Sequence, residues 1–135
     1  MKNAPAVGTV GEQRFTVARE HTIDFADNGM PAVLCTPSLI WFLEHAARKA
    51  VLGVLEPGES TVGVHIEVDH LAPTPISQSV TCQARVIQVN NTLISLQLEA
   101  RDPTECIARG FHRLRIIHVD RFARRVEAKS SRSSG

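Results

Sequence analysis

Apolar positions along this chain follow two rhythms, and the change between them outlines its elements. Over residues 36–53 the spacing is helical, with Ile40, Glu44, Ala47 and Val51 following each other at intervals of four, three and four on one face. Leu39, Phe42, Leu43, Ala46 and Ala50 extend the apolar character most of the way round, which predicts an enclosed helix rather than a surface one. Thr36 is expected to cap its start, Pro37 suits the first helical position because its missing N–H had no partner there, and Gly53 is the expected stop. Glu44 is out of character on such a face. A carboxylate there calls for an ion pair or a function.

Elsewhere the period is two. After a loose lead-in over residues 1–12, residues 14–18 and 21–25 read as short extended pieces, and residues 27–31 (Asp-Asn-Gly-Met-Pro) as a loop entering the helix. Val62, Val64, Ile66, Val68 and His70 alternate with Gly63, His65, Glu67 and Asp69, so residues 61–71 predict a strand with one buried face and His70 at the end of its row. Pro73 and Pro75 end it. Residues 77–89 and 93–100 form a hairpin through Asn90-Asn91-Thr92, and residues 105–119 the last strand, with Ala108, Gly110, His112, Leu114 and Ile116 facing inward. Charged residues 120–129 allow a short helical extension, while residues 130–135 read as a low-complexity disordered tail. The expected fold class is α+β: a single domain over residues 1–129, with a sheet of four to six strands curling round one helix and edges that a second copy could pair with.

Composition narrows the function classes. Fifteen basic and fourteen acidic residues are scattered without a basic block, and one Trp, five Phe and no Tyr give little surface for stacking bases, so nucleic acid is excluded as a partner. Cys35, Cys82 and Cys106 are odd in number and lack metal-ligand spacing, which argues against disulfides and zinc; no metal or other cofactor is called for. No run has signal-peptide character or the apolar length of a membrane span, so the expected location is the cytoplasm, away from membrane.

Three residues can carry chemistry together. Thr36 stands at a helix N-terminus, where unpaired N–H groups stabilise a developing oxyanion, although a simple N-cap accounts for it equally. In apolar surroundings Glu44 would be a strong base or nucleophile, whereas a pair with Arg48 four residues on would make it structural. His70 is either a proton carrier or a hydrogen-bonded core histidine. His112 reads locally as a packed inner-face residue, His45 has no nameable partner, His65 lies on the polar face, and Cys35 lacks a base at known spacing. The combination equips the chain for acyl transfer or proton abstraction beside a carbonyl.

Thr36 and Glu44, the turn Leu55-Glu56-Pro57-Gly58-Glu59, Val62-Gly63, and the strand end Val68-Asp69-His70-Leu71-Ala72-Pro73-Thr74-Pro75 resemble the fluoroacetyl-CoA thioesterase family of hotdog-fold proteins, over residues 33–122. The resemblance implies a curved antiparallel sheet around a long central helix, a homodimer with sites at the subunit interface, and hydrolysis of an acyl-CoA thioester by Thr36, Glu44 and His70. It also places Gly63 against the substrate and matches Gly110 and His112 to a Gly-x-His segment on the last strand, so that Gly63, His112 and Arg113 are the expected substrate-binding residues. The fluoroacetyl-specific member carries phenylalanines in the loop before the helix and an arginine two residues after that histidine. This chain has Asp27 and Met30 in the loop and Leu114 at the arginine's place.

The resulting expectation is hydrolysis of a short or compact acyl-CoA thioester, with Glu44 as nucleophile or base. The alternative is a non-catalytic acyl-CoA-binding module, marked by Glu44 paired to Arg48; an enoyl-CoA hydratase is a weaker third reading because its local Asp and His motif is missing.

Overall fold

The computed structural model describes residue 1 and residues 3–133. Five strands, β1 (Val10–Thr16), β2 (Glu59–His70), β3 (Ser79–Asn90), β4 (Leu93–Arg101) and β5 (Cys106–His118), form one antiparallel sheet in the order β1-β3-β4-β5-β2. The helix α1 (Thr36–Val51) lies in its curl, and α2 (Val119–Ser133) continues from β5. This is the expected α+β layout of a curved sheet on one long helix.

Alternation on the central strands makes the core. Val80, Cys82, Ala84 and Val86 of β3 and Ile94, Leu96, Leu98 and Ala100 of β4 are buried against Leu39, Phe42, Leu43, Ala46 and Ala50 of α1. Leu39 and Leu43 have no exposed surface, and burial of each contributes roughly 1.5–3 kcal/mol. The hairpin turn works as read, with Asn91 at φ +55°, a conformation asparagine tolerates better than most residues. Among the described residues, no helix is long and apolar enough to cross a membrane.

Several expectations are corrected. β1 begins at Val10, inside the lead-in, because Gly11 lets the strand press on the helix backbone: a Cβ there would lie 2.1 Å from the Ala46 carbonyl oxygen. Residues 19–21 form a 3-10 turn, and only the bridge between Thr22 and Leu34 remains of the second extended piece. Cys35, without a side-chain cap bond, precedes α1, so Thr36 is its first residue and not its cap. At the other end the helix tightens into a 3-10 turn over Leu52–Val54, and Gly53 does not take the left-handed stop conformation. α2 reaches Ser133, taking in most of the segment expected to be disordered; Ser134 and Gly135 lie outside the described residues.

Two corrections bear on the site. A register shift between Gly63 and His65 leaves Val64 unpaired opposite β5 and flips the parity of β2. Thr61 and Gly63 therefore face inward before the shift and Ile66, Val68 and His70 after it, while Val62 pairs with Arg115 on the outer face. Nor is α1 enclosed within one chain. Trp41, 55% exposed, and Glu44 lie open, with Ile40 and Arg48 half-buried. The buried acid of the sequence reading is thus an exposed one here, because the sheet packs on α1 mainly through β1 and β3 and touches it more sparsely through β4 and β2.

Candidate active site

Near the start of α1, Thr36 Oγ1 and His70 Nδ1 are 2.8 Å apart in a hydrogen bond. Freed from capping, the hydroxyl reaches the last residue of β2, which is held there by pairing with Ala108 of β5. Burial pushes the His70 pKa down, with the Ala72 backbone acting the other way, and Nε2 is buried without a hydrogen-bond partner. Both residues line a hollow of about 320 Å³, to which the loop before the helix contributes Ile23 and Val33. His21 pins the start of that loop: its Nδ1 accepts from the Ala18 N–H at 3.0 Å, and its ring packs edge-on against Phe15 and Phe42.

Glu44 belongs to a different group. Eight residues along α1, about 12 Å by helical rise, it lines a cavity of about 150 Å³ with His45, Arg48, Thr61, Gly63, His112 and Leu114. Gly63 opens that space. A Cβ there would sit 3.5 Å from Glu44 Oε2 and 3.2 Å from His112 Cε1, filling the gap between carboxylate and imidazole. His112 is 3% exposed, and its Nδ1 lies 2.9 Å from the His65 carbonyl oxygen. A carbonyl only accepts, so Nδ1 carries the proton and the lone pair of the neutral ring is on Nε2. Burial pushes the His112 pKa down, while the His65 carbonyl and the nearby Glu44 charge pull it back up.

Within one chain, then, Thr36 meets His70 and Glu44 meets Gly63 and His112, but the two groups line separate cavities. Arg113 is outside the Glu44 cavity: it pairs with His65 on the outer face and lines a separate hollow with Glu67 and Phe111, which His112 also borders. Among the described residues Glu44 has no ion-pair partner, Arg48 included. The cysteines near the core have ordinary surroundings. Cys35 Sγ donates to Ser38 Oγ, and burial pushes the Cys82 thiol up to about 12.

Sequence reasoning set His112 apart from Glu44, since 68 positions separate them and only the glycine between their side chains signals the approach. Arg48 was read only as a partner for Glu44, because spacing of four favours a pair and does not require one.

Residues 17–120 match the model of the fluoroacetyl-CoA-specific thioesterase family, FlK. The chain belongs to that family. It is 30% identical over 138 residues to the fluoroacetyl-CoA thioesterase of Streptantibioticus cattleyicolor, covering 96% of this chain and 98% of that protein. A crystal structure of a point mutant of FlK in complex with fluoroacetate and CoA is 30% identical, with a TM-score of 0.79 over 87% of this chain and 98% of the other. A hot-dog-like protein from Thermanaerovibrio acidaminovorans, 24% identical, shares the fold with a TM-score of 0.83 over 91% of each chain. FlK-family membership and the hotdog fold therefore agree with the resemblance read from the residues.

Proposed function

We propose that this chain is an acyl-CoA thioesterase that hydrolyses a short or compact acyl-CoA, with Glu44 as nucleophile or general base and Thr36 and His70 completing the site. The observation that carries this reading is the open space at Gly63, flanked by an unpaired carboxylate and by an imidazole whose tautomer is set by the His65 carbonyl. In the reaction the carbonyl carbon loses its bond to sulfur and gains one to oxygen. Water supplies that oxygen and the proton that leaves with the CoA thiol. Glu44 either attacks the carbonyl, forming an anhydride that water then opens, or takes a proton from the attacking water. Helix N–H groups near Thr36 suit the oxyanion, and His70, hydrogen-bonded to Thr36, protonates the departing thiolate. The rival binding module had an ion pair of Glu44 with Arg48 as its mark; the free carboxylate favours the enzyme.

The complete site is proposed to form in a homodimer. β2 is an edge strand of twelve residues without a fully buried side chain, so its outer backbone groups are open to a second copy. Antiparallel pairing about a two-fold axis between Ile66 and Glu67 would set Gly63 opposite the partner's His70. Glu44, Gly63 and His112 of one protomer would then share a thioester with Thr36 and His70 of its partner.

Mixed dimers test both parts. Glu44→Gln and His70→Ala are each expected to abolish release of free CoA thiol from acyl-CoA. Co-expressed, they form hybrids with one intact composite site, and activity should return to about a quarter of wild type if chains assort at random. No recovery in verified hybrids would place Glu44 and His70 of the same chain in one site, and no thiol release by the wild type from any short acyl-CoA would remove the hydrolase reading.

A further inference from the structure

The cavity at Glu44 carries a positive charge for which hydrolysis of a simple acyl group has no use. Arg48, one turn beyond Glu44, forms part of its wall. Its Nη1 is buried and has no hydrogen-bond partner, and among the described residues no carboxylate lies within ion-pair distance of the guanidinium. A buried donor left unmade is costly, and more so on a charged group, so buried polar atoms in native proteins almost always have a partner. A ligand entering the cavity reaches the wall that Arg48 forms.

We propose that this cavity receives the acyl part of a short carboxyacyl-CoA, the thioester of a three- to five-carbon dicarboxylic acid, with the distal carboxylate held by Arg48. The proposal deepens the thioesterase reading and rests on it for the position of the thioester. Size agrees: a cavity of about 150 Å³ holds a molecule of benzene's size, close to the heavy-atom count of a succinyl group. Reach agrees as well. Glu44 and Arg48 stand one helical turn apart, about 6 Å of rise, and line the same cavity, so the two ends of a short diacid thioester meet one side chain each. The planar guanidinium accepts a carboxylate through two parallel N–H bonds. A methyl-terminated chain of equal length offers the guanidinium no anionic partner, so discrimination comes from a charge that the described residues leave without an ion pair. Thr61, Gly63 and Leu114 add no charge to the wall, His45 and His112 are its remaining polar groups, and Glu44, the one acid there, acts at the opposite end of the acyl group.

The test compares succinyl-CoA with butyryl-CoA, which match in chain length and differ in the terminal carboxylate. The wild type is expected to favour succinyl-CoA at least tenfold in kcat/KM, Arg48→Met to lower that ratio at least tenfold, and Arg48→Lys to retain part of it. A wild-type ratio near one, or a ratio unmoved in Arg48→Met while both substrates slow alike, overturns the proposal; the second result would assign Arg48 to the CoA moiety or to the fold. Binding of the non-hydrolysable thioether analogues of both substrates is measured by calorimetry in parallel. If neither thioester is cleaved, the thioether preference still decides the case of Arg48, apart from the hydrolase reading, which falls only if no short acyl-CoA is cleaved: at least tenfold for the carboxylated analogue sustains the proposal, and equal binding ends it.

Discussion

At the start of α1, Thr36 and His70 are joined by a 2.8 Å hydrogen bond between helix and strand end, whereas two turns on, Glu44 faces a gap that no side chain closes. The first pair is already in contact with a single chain. The second is a set of groups held apart, with His112 fixed by a backbone carbonyl, Arg48 without a partner and Gly63 without a Cβ. A protein that wanted only a packed interface would fill that gap, since an alanine methyl in a core is favourable and an unmade hydrogen bond is not. On the proposed reading, the Glu44 end is where substrate atoms complete the structure and the Thr36 end is a preassembled proton relay.

The contrast can be broken from either side. The largest effect is expected for Glu44→Gln, at least about a hundredfold in kcat for thiol release, the usual scale for a positioned base or nucleophile. Because Glu44 is exposed in the chain, its thermal midpoint should stay close to wild type, and near-normal turnover in the folded variant would remove Glu44 from the mechanism. Gly63→Ala comes next, at about tenfold in kcat/KM. Its new methyl meets the ends of the Glu44 and His112 side chains; at 3.5 Å the exposed carboxylate is in ordinary contact, and at 3.2 Å the held imidazole must shift by a few tenths of an ångström, so the protein should fold and lose reactivity. Unimpaired hydrolysis would show that the gap at Gly63 is not used.

Smaller effects are expected from the preassembled pair. Thr36→Val removes the bond to His70 and should lower stability by about 1 kcal/mol in denaturant titration, while Thr36→Ser retains it. Equal midpoints for the two variants would mean that the bond contributes nothing. Finally, His70 and His112 are both held below the usual histidine range by burial. An unfolded chain, with ordinary imidazoles, takes up protons below about pH 6.5 that the folded chain refuses, so stability should decline as pH falls through that value and level off below the depressed native pKa values. His112→Asn should flatten part of the decline; an acid slope identical to wild type would mean that His112 titrates as it does in the unfolded chain.

What the sequence by itself determined was the inventory of elements and the family. A run of apolar residues at helical spacing sufficed for α1, and alternation with Asn90-Asn91-Thr92 sufficed for the β3–β4 hairpin, because both patterns reflect local geometry and one-sided burial. Thr36, Glu44 and His70 stood out with the turn after the helix and the proline-rich strand end, enough to recognise relatives at about 30% identity. Tertiary structure decided where those residues stand. One unpaired residue at Val64 turned Gly63 inward and Val62 outward, a switch invisible to a strict count of two. The start of β1 depended on how closely Gly11 approaches Ala46, and the division of the site into two groups depended on which face of α1 the sheet leaves open. Periodicity reports that a face is apolar; what covers it is set by contacts between residues far apart in the chain, and for Glu44 by a carbonyl, a missing methyl and an unpaired guanidinium that no spacing rule records.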